Sequence, residues 1–184
     1  QDPALFIAPG NAGTAQCGTN VQINDTDIDT LLKFAINNNI DLTIVGPEAP
    51  LVEGIVDTFN ENNLNIIGPD KIAAQLEGSK AWSKAFMEKY DIPTAVYKEF
   101  TNSPDAKTYL RTRNDYPIVI KADGLAAGKG VTIAATQSEA FTAIEDAIDN
   151  DKFKEAGKKI IIEEEKNPFF LCFAPKGKMQ KKQK

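Results

Sequence analysis

Short apolar runs alternate with amphipathic stretches along the first half of the chain. Each apolar run ends at a Gly, Pro or Asn turn, which predicts buried strands followed by loops. These runs are 4–8, 42–45 and 65–67. The stretches between them show helical spacing and predict helices over 27–36, 50–62 and 71–77, the first of them capped by Asp25 or Asp27. Alternating strands and helices, with loops after the strands, predict a parallel α/β sheet.

The second half of the chain has a different pattern. Residues 79–90 predict a connector helix that ends before Ile92-Pro93. Strands are then predicted at 95–100, 118–121, 131–135 and 159–163, with helices at 104–113 and 138–149. This order predicts an α+β layer in which helices cover one face of a small sheet. The domain boundary is predicted near residues 76–80.

The composition of the 184 residues excludes several classes of protein. With 42% hydrophobic and 26% charged residues, the chain is too apolar for global disorder. Its apolar runs are too short to span a membrane, so no membrane partner is expected. No signal-peptide pattern is visible and Cys17 and Cys172 fit no disulfide framework, which favours the cytoplasm. The absence of His excludes a Ser-His-Asp triad and a His-liganded metal.

Charge is distributed unevenly along the chain. Residues 1–77 contain 11 acidic residues but only two lysines, whereas residues 166–184 contain six lysines and no acid. The basic end has two interpretations, a nucleic-acid patch or a solvated, disordered segment. Arginines and stacking aromatics do not alternate along it, so the second interpretation is favoured and no nucleic-acid partner is expected.

The strongest chemical signal is the glycine-rich stretch at 119–131, in which a predicted strand ends at Lys121 and another begins after a loop of small residues. Small residues let backbone N–H groups approach a phosphate, and two lysines offset its charge. The order of residues fits neither a Walker A loop nor a dinucleotide-binding loop. A flexible hairpin with solvated lysines is the alternative to phosphate binding. The candidate residues are Lys121, Gly124, Ala126, Ala127, Gly128, Lys129 and Gly130.

Three further segments carry candidate residues, each with a plain structural alternative. Lys80 follows Ser79 at the start of the connector helix, where the segment either binds an anion or only caps the helix. Glu163 and Glu164 end a strand, where an edge could recognise adenine and a carboxylate could hold a ribose; the alternative is an ordinary polar strand end. Two loops after strands of the first half are either ligand loops or turns. Their candidate residues are Gly10, Asn11, Gly46, Pro47, Glu48, Ala49 and Pro50.

Taken together, these segments resemble the glycinamide ribonucleotide synthetase family of the ATP-grasp superfamily. The resemblance covers residues 4–164 and follows the order of the family's motifs. A glycine-rich loop alone would suit many ATP-grasp enzymes, whereas its combination with the stretches at 8–14 and 45–51 is specific to this family. The matching stretches are 8–14, 45–51, 68–69, 78–80, 92–95, 120–131 and 162–164.

The resemblance implies a ligase of purine biosynthesis that uses ATP with Mg²⁺ or Mn²⁺. ATP phosphorylates the carboxylate of glycine, and the amine of 5-phosphoribosylamine then displaces phosphate. Lys80 and Lys121 are expected at the ATP phosphates, with the loop 124–130 closing over them. Glu163 and Glu164 are expected at adenine and ribose. Gly10, Asn11 and the loop 46–51 are expected at phosphoribosylamine.

Relative to the family pattern, the chain resembles only a part. The implied fold is an N-terminal parallel open-sheet unit lacking its first βα element (1–77), then a connector helix and an incomplete α+β ATP-grasp subdomain (78–164), then a divergent Lys-rich tail (165–184). The family's metal ligands are expected to be absent. The isolated chain is therefore expected to be inactive, with a complementary fragment or fused domains as possible partners.

Two alternatives remain at this stage. A different ATP-grasp ligase or carboxylase, such as a relative of biotin carboxylase, would share Lys80, Lys121 and the glycine-rich loop. A non-catalytic nucleotide-binding module, descended from the ligase, would fit the missing metal residues.

Overall fold

The computed structural model describes residues 4–126 and 129–164. The chain divides into two compact units, Gln1–Phe86 and Met87–Lys184. Two of the candidate loop residues, Ala127 and Gly128, and the predicted tail 165–184 lie outside the described residues. The predicted domain ranges 1–77, 78–164 and 165–184 stay predictions.

The first unit contains two short parallel strand pairs. β1 (Phe6–Ile7) pairs with β2 (Thr19–Asn20), and β3 (Thr43–Ile44) pairs with β4 (Ile66–Ile67). The predicted parallel pairing and α/β class are confirmed, but the described strands form two separate two-stranded sheets and not one open sheet. β2 was not predicted, because two polar residues give no apolar run.

Five helices of the described chain start in the first unit. They are α1 (Ile28–Asn37), α2 (Glu48–Glu53), α3 (Ile55–Glu61), α4 (Lys71–Gly78) and α5 (Lys80–Lys89). Asp27 caps α1 by accepting from the backbone N–H of Thr30, and Asp70 caps α4 in the same way. Of the two predicted caps for α1, Asp27 is therefore the one used. Such caps satisfy N–H groups that have no partner inside the helix.

A glycine divides the single helix that was predicted over 50–62. Gly54 has a φ of 98°, and its N–H donates to the carbonyls of Pro50 and Leu51. The left-handed conformation ends α2, and α3 begins at the next residue. The prediction of one helix was wrong because helical spacing continues across Gly54, whereas the backbone reverses its handedness there. The turn lets both short helices contribute to one core.

The core of the first unit is small and mostly aliphatic. Its buried side chains come from helices α1 to α4, and the largest, Phe59, is 1% exposed. Burying a side chain of this size contributes about 1.5–3 kcal/mol. The buried members of this core are Ala35, Leu51, Ile55, Val56, Phe59 and Ala74.

The second unit is built on a four-stranded antiparallel sheet with the order β5-β8-β6-β7. Its strands are β5 (Tyr97–Phe100), β6 (Ile118–Ala122), β7 (Val131–Ala134) and β8 (Ile160–Glu164). Helix α6 (Ser103–Arg111) follows β5, and α7 (Gln137–Ile144) follows β7. The helix predicted at 138–149 is α-helical only as far as Ile144, and a π-helical turn continues it over Glu145–Asp149.

Strand alternation gives this sheet two different faces. One face packs against α6 and α7 through apolar side chains, as predicted for a sheet covered on one side. Its strand residues are Phe100, Ile118, Ile120, Ala134, Ile160 and Ile162. The opposite face is called the charged face here. The register assigns Val119, Lys121, Val131, Ile133, Ile161 and Glu163 to it.

Within residues 4–126 and 129–164, no helix has both the length and the apolar character needed to cross a membrane.

The left-handed turn at Gly54 predicts a specific loss of stability. Replacing Gly54 by Ala forces a Cβ into that conformation and places it 3.2 Å from the side chain of Lys71. We expect the free energy of unfolding to fall by about 1–2 kcal/mol. Gly46→Ala is the matched control, since its Cβ would meet nothing within 4 Å. Urea denaturation of both variants measures the difference, and equal stabilities would show that the left-handed turn at Gly54 does not require glycine.

Candidate functional site

An ion pair joins two neighbouring strands on the charged face. The register sets Val119 opposite Glu163 and Lys121 opposite Ile161, so Lys121 and Glu163 are diagonal neighbours. The Lys121 ammonium contacts a carboxylate oxygen of Glu163. The Glu163 side chain is only 7% exposed, whereas that of Lys121 is 27% exposed. A buried carboxylate requires a charged partner, and the more accessible lysine remains able to meet an incoming anion.

Glu163 and Glu164 were predicted to act together, but the structure directs them to opposite faces. Glu164 pairs with Ile118, a core residue, and its carboxylate lies 3.2 Å from Arg113. The strand end was also treated as an available edge. β8 instead lies between β5 and β6, so the backbone of Glu163 is within a paired strand on both sides. Of the two glutamates, Glu163 is the one that shares a face with Lys121.

The glycine-rich loop returns to the sheet through close backbone contacts. The N–H of Ala122 donates to the carbonyl of Gly130 at 2.7 Å, and the N–H of Lys129 donates to Ala126 at 2.9 Å. A Cβ on Gly130 would lie 2.7 Å from the Cβ of Ala126 and 3.2 Å from that of Ala122. Gly124 has a φ of 98°. Small residues are therefore required here for packing and turn geometry, while Lys129 remains exposed.

Two apolar side chains next to the ion pair were missed by the sequence analysis. Val131 lies directly opposite Lys121, and Ile133 lies opposite Val119, both on β7. They are 46% and 59% exposed and lie on β7, the edge strand of the sheet. Alternation along the strand could have placed both on one face. Only the strand register places that face beside Lys121. An apolar surface adjoining a lysine suits a ligand with a flat ring and an anionic group.

Tyr97 belongs to the same face, directly opposite Glu163 on the neighbouring strand β5. Burial raises the pKa of Tyr97, and the neighbouring carboxylates of Glu88 and Glu99 raise it further. Its hydroxyl donates to Glu88 at 3.4 Å. Tyr97 is therefore a neutral hydrogen-bonding group at neutral pH.

Lys80 is the first residue of α5 and is half-buried. The hydroxyl of Ser79 accepts from the backbone N–H of Trp82 at 3.1 Å, so Ser79 caps α5 as predicted. Lys80 belongs to the first unit and Lys121 to the second. Its proposed contact with phosphate stays a prediction.

The segment after β1 forms a hydrogen-bonded turn. The Asn11 side-chain oxygen accepts from the N–H groups of Gly13 (2.8 Å) and Thr14 (3.1 Å), and the Asn11 N–H donates to the Thr14 hydroxyl. Gly10 has a φ of 75°. The Asn11 side chain thus shapes the loop, and the N–H groups of Asn11, Gly13 and Thr14 are bonded within it.

The segment after β3 leads into a helix. Pro47 is extended and immediately precedes α2, whose first turn contains Glu48, Ala49 and Pro50. Gly46 is exposed with open space around it, whereas Pro50 is buried. Both predicted substrate loops therefore follow the carboxyl ends of parallel strands, where ligands bind in open α/β sheets. The contacts of these five residues with a ligand stay predictions.

Comparison with known families matches almost the whole chain. Residues 1–77 match the family described as phosphoribosylglycinamide synthetase, N domain, and residues 78–170 match the ATP-grasp (A) domain of the same synthetase. The chain belongs to the phosphoribosylglycinamide synthetase family. The resemblance predicted from the motifs is confirmed.

Individual members of the family show how much of their length the chain represents. It is 56% identical over 162 residues to phosphoribosylamine–glycine ligase of Haemophilus influenzae and 57% identical to that of Escherichia coli K12. Each match covers 87% of this chain but 38% of the relative. The chain thus spans about two-fifths of the length of the curated relatives it matches.

Solved structures extend the comparison to the fold. Phosphoribosylamine–glycine ligase of Thermotoga maritima has a TM-score of 0.66 and 29% identity, covering 88% of this chain and 37% of its own. Biotin carboxylase of Campylobacter jejuni has a TM-score of 0.68 at 16% identity, covering 88% of this chain and 39% of its own. At that identity the second likeness shows the fold alone.

Within the synthetase N domain, the structure adds Asn20 to the loop residues found by sequence. Its side-chain amide donates to the carbonyl of Asn11 at 2.7 Å, and its oxygen accepts from the Thr14 hydroxyl at 2.8 Å. Its atoms also occupy the space that a Cβ on Gly10 would require. Asn20 was missed because nothing in the sequence reveals the pairing of β1 with β2.

The contacts of Asn20 predict a local effect of its substitution. Asn20→Asp retains the acceptor for Thr14 but removes the donor to Asn11, so the turn at 11–14 should open more often. We expect amide hydrogen exchange of Gly13 and Thr14 to accelerate by about fivefold, since one hydrogen bond contributes about 1 kcal/mol. Asn24→Asp is the control, because the Asn24 side chain accepts from Thr26, two residues away, and lies outside the turn at 11–14. Unchanged exchange in Asn20→Asp would show that the loop does not depend on β2.

Proposed function

We propose that this chain provides the N domain and the nucleotide-binding part of the A domain of a phosphoribosylamine–glycine ligase. The complete activity joins glycine to 5-phosphoribosylamine at the expense of ATP. The observation that carries the proposal is the charged face, where Lys121 and Glu163 lie beside exposed Val131 and the glycine-rich loop. Membership of the synthetase family supports the same assignment.

In the proposed reaction, a carboxylate oxygen of glycine attacks the γ-phosphorus of ATP, and ADP leaves. The amine of 5-phosphoribosylamine then attacks the carbonyl of glycyl phosphate, forming an amide and releasing phosphate and a proton. Phosphoryl transfer depends mainly on positioning and on offsetting the phosphate charge. Lys121 supplies that charge at the end of β6, and backbone N–H groups of the loop provide further donors.

The apolar and polar groups have separate roles in this proposal. Val131 and Ile133 provide the surface on which the adenine ring packs, because exposed aliphatic groups gain most from covering a flat ring. Glu163 holds Lys121 before nucleotide binds and accepts a ribose hydroxyl afterwards. Gly124, Ala126, Lys129 and Gly130 cover the β and γ phosphates, as the family resemblance implies.

In the proposal, the first unit binds the second substrate, 5-phosphoribosylamine. Gly10, Asn11 and the loop 46–51 contact 5-phosphoribosylamine, with Lys80 acting on ATP phosphate from the start of α5. The support is their position after parallel strands and at a helix start. N–H groups at such positions favour anions such as a sugar phosphate.

No divalent-metal site is assigned to the described residues. In the two described stretches, 4–126 and 129–164, no group of three His, Cys, Asp or Glu side chains could hold a metal ion. Glu163 is already paired with Lys121. No step is therefore assigned to Mg²⁺ or Mn²⁺, and the metal requirement stays a proposal from the family. Location in the cytoplasm also stays a proposal.

A non-catalytic nucleotide-binding module is the second candidate function. The chain corresponds to 38% of the length of the relatives. We therefore expect the 184 residues alone to bind nucleotide without completing the ligase reaction. A complementary fragment or fused domains would supply the remaining functions, and glycine and 5-phosphoribosylamine would be the small-molecule partners.

Calorimetric titration with ATP and Mg²⁺ tests the proposed nucleotide site. We expect binding by the unaltered chain and a loss of about 10–100-fold in Lys121→Gln, because a hydrogen bond to a charged group contributes about 1.5–3 kcal/mol. Lys158→Gln is the matched control. Lys158 is 67% exposed and pairs with Glu155 in the segment before β8.

A parallel assay separates binding from turnover. Phosphate release is followed with ATP, glycine and 5-phosphoribosylamine present. Binding without turnover supports the module interpretation for these 184 residues, and turnover would establish the ligase directly. Equal affinities of the Lys121→Gln and Lys158→Gln variants would contradict the proposed site.

A further inference from the structure

The guanidinium of Arg113 contacts three polar side chains near the end of β8. Its Nε donates to Asp115 Oδ1 at 2.8 Å, and its Nη2 contacts the other oxygen of the same carboxylate. Nη1 donates to the Tyr109 hydroxyl at 2.6 Å, and Nη2 also donates to Glu164 Oε1 at 3.2 Å. The guanidinium thus bridges the segment after α6 to the last residue of β8.

The surroundings of Arg113 keep its side chain in a defined orientation. The guanidinium carbon lies 5.5 Å from the centre of the Tyr109 ring, and the Lys98 ammonium lies 5.1 Å from the same ring. Tyr109 also packs against Phe100, with ring centres 5.3 Å apart. The Arg113 side chain is 17% exposed. Partial burial, ring contacts and two carboxylates together limit its rotation.

Neither Arg113 nor Asp115 belongs to the candidate nucleotide site, yet the pair is connected to it through strand geometry. Glu164 and Glu163 are consecutive on β8, so their side chains point to opposite faces. A contact that holds Glu164 on the helix side therefore resists rotation of the strand end that would turn Glu163 away from Lys121. The ladder pairing of Glu164 with Ile118 and the backbone bond from the Glu164 N–H to the Val96 carbonyl, at 3.2 Å, restrain the same strand end, and the Arg113 contact adds a side-chain restraint to them.

We propose that Arg113 is a positioning residue for the nucleotide site, holding Glu164 on the helix side of the sheet so that Glu163 stays directed at Lys121. The proposal rests on the proposed function for its consequence in ATP binding, but the effect on Lys121 exists without nucleotide. Arginine is required because its planar fork serves Asp115 and Glu164 together, whereas a lysine ammonium cannot reproduce this geometry. Without Arg113, the two carboxylates would also repel each other.

The test measures the accessibility of the Lys121 amine in the native chain. Acetylation by a small amine-reactive ester is quantified by mass spectrometry of the Lys121 peptide, with Lys158 as the internal reference. We expect Arg113→Gln to raise the relative labelling rate of Lys121 by about threefold, the size expected for loosening a partly exposed ion pair. Asp115→Asn is the control, since it removes the other partner of Arg113 and leaves the Glu164 contact.

A double-mutant comparison separates positioning from general destabilisation. Glu164→Ala should reproduce the effect of Arg113→Gln, and the double variant should label Lys121 no faster than either single variant. Arg113→Lys, which retains the charge, should restore little of the original rate. Urea midpoints are measured for all variants, and labelling is done well below them so that only folded chains are compared.

The possible outcomes are distinct. Unchanged Lys121 labelling in folded Arg113→Gln, or an equal increase in Asp115→Asn, would overturn the proposal. Protection of Lys121 by ATP in the unaltered chain separately tests the proposed function. If ATP gives no protection while Arg113→Gln still raises labelling, the positioning role stands and the nucleotide assignment fails.

Discussion

β8 is hydrogen-bonded to a neighbour on each side, and this double pairing determines the direction of every side chain in the sheet of the second unit. The register with β5 and β6 places Ile160 and Ile162 against the helices. The same register leaves Ile161 and Glu163 on the charged face. A shift of one residue would turn Ile160 and Ile162 away from the helices and turn Glu163 toward them. The apolar core therefore specifies the position of the ion pair.

The charged face combines two energetically unfavourable features, a buried charge and exposed apolar side chains. Glu163 is buried as a charge, and Val131 and Ile133 are exposed as apolar groups. The Lys121 ammonium offsets the first, and a bound ring would offset the second. Because such features lower the stability of an empty site, their occurrence on one face is physically consistent with a ligand surface.

Much of the secondary structure could be predicted from local patterns. Apolar runs and caps located most strands and helices, and the helix-covered sheet followed from their order. The break at Gly54 could not be located, because helical spacing continues through it and only the backbone angle ends α2. β2 was invisible because Thr19 and Asn20 form no apolar run, and its position depends on pairing with β1.

The candidate site was predicted in part for a similar reason. Lys121 and the glycine-rich loop have a local signature, and the motif order led correctly to the synthetase family. The division of Glu163 from Glu164 follows from alternation, but the face of each depends on a register that the sequence does not display. Asn20, Val131 and Arg113 were missed because their contacts depend on how separate segments pair: β2 with β1, β7 with β6, and the segment after α6 with β8. Contacts between such segments are decided by packing and not by motif.

Methyl NMR shows whether nucleotide packs on the charged face of this sheet. The chain is labelled at isoleucine and valine methyls and titrated with a non-hydrolysable ATP analogue and Mg²⁺. We expect the signals of Val131 and Ile133 to shift, while those of Ile118 and Ile144 in the helix-covered core remain in place. Shifts confined to the core, or none at either pair while the analogue binds, would contradict the account.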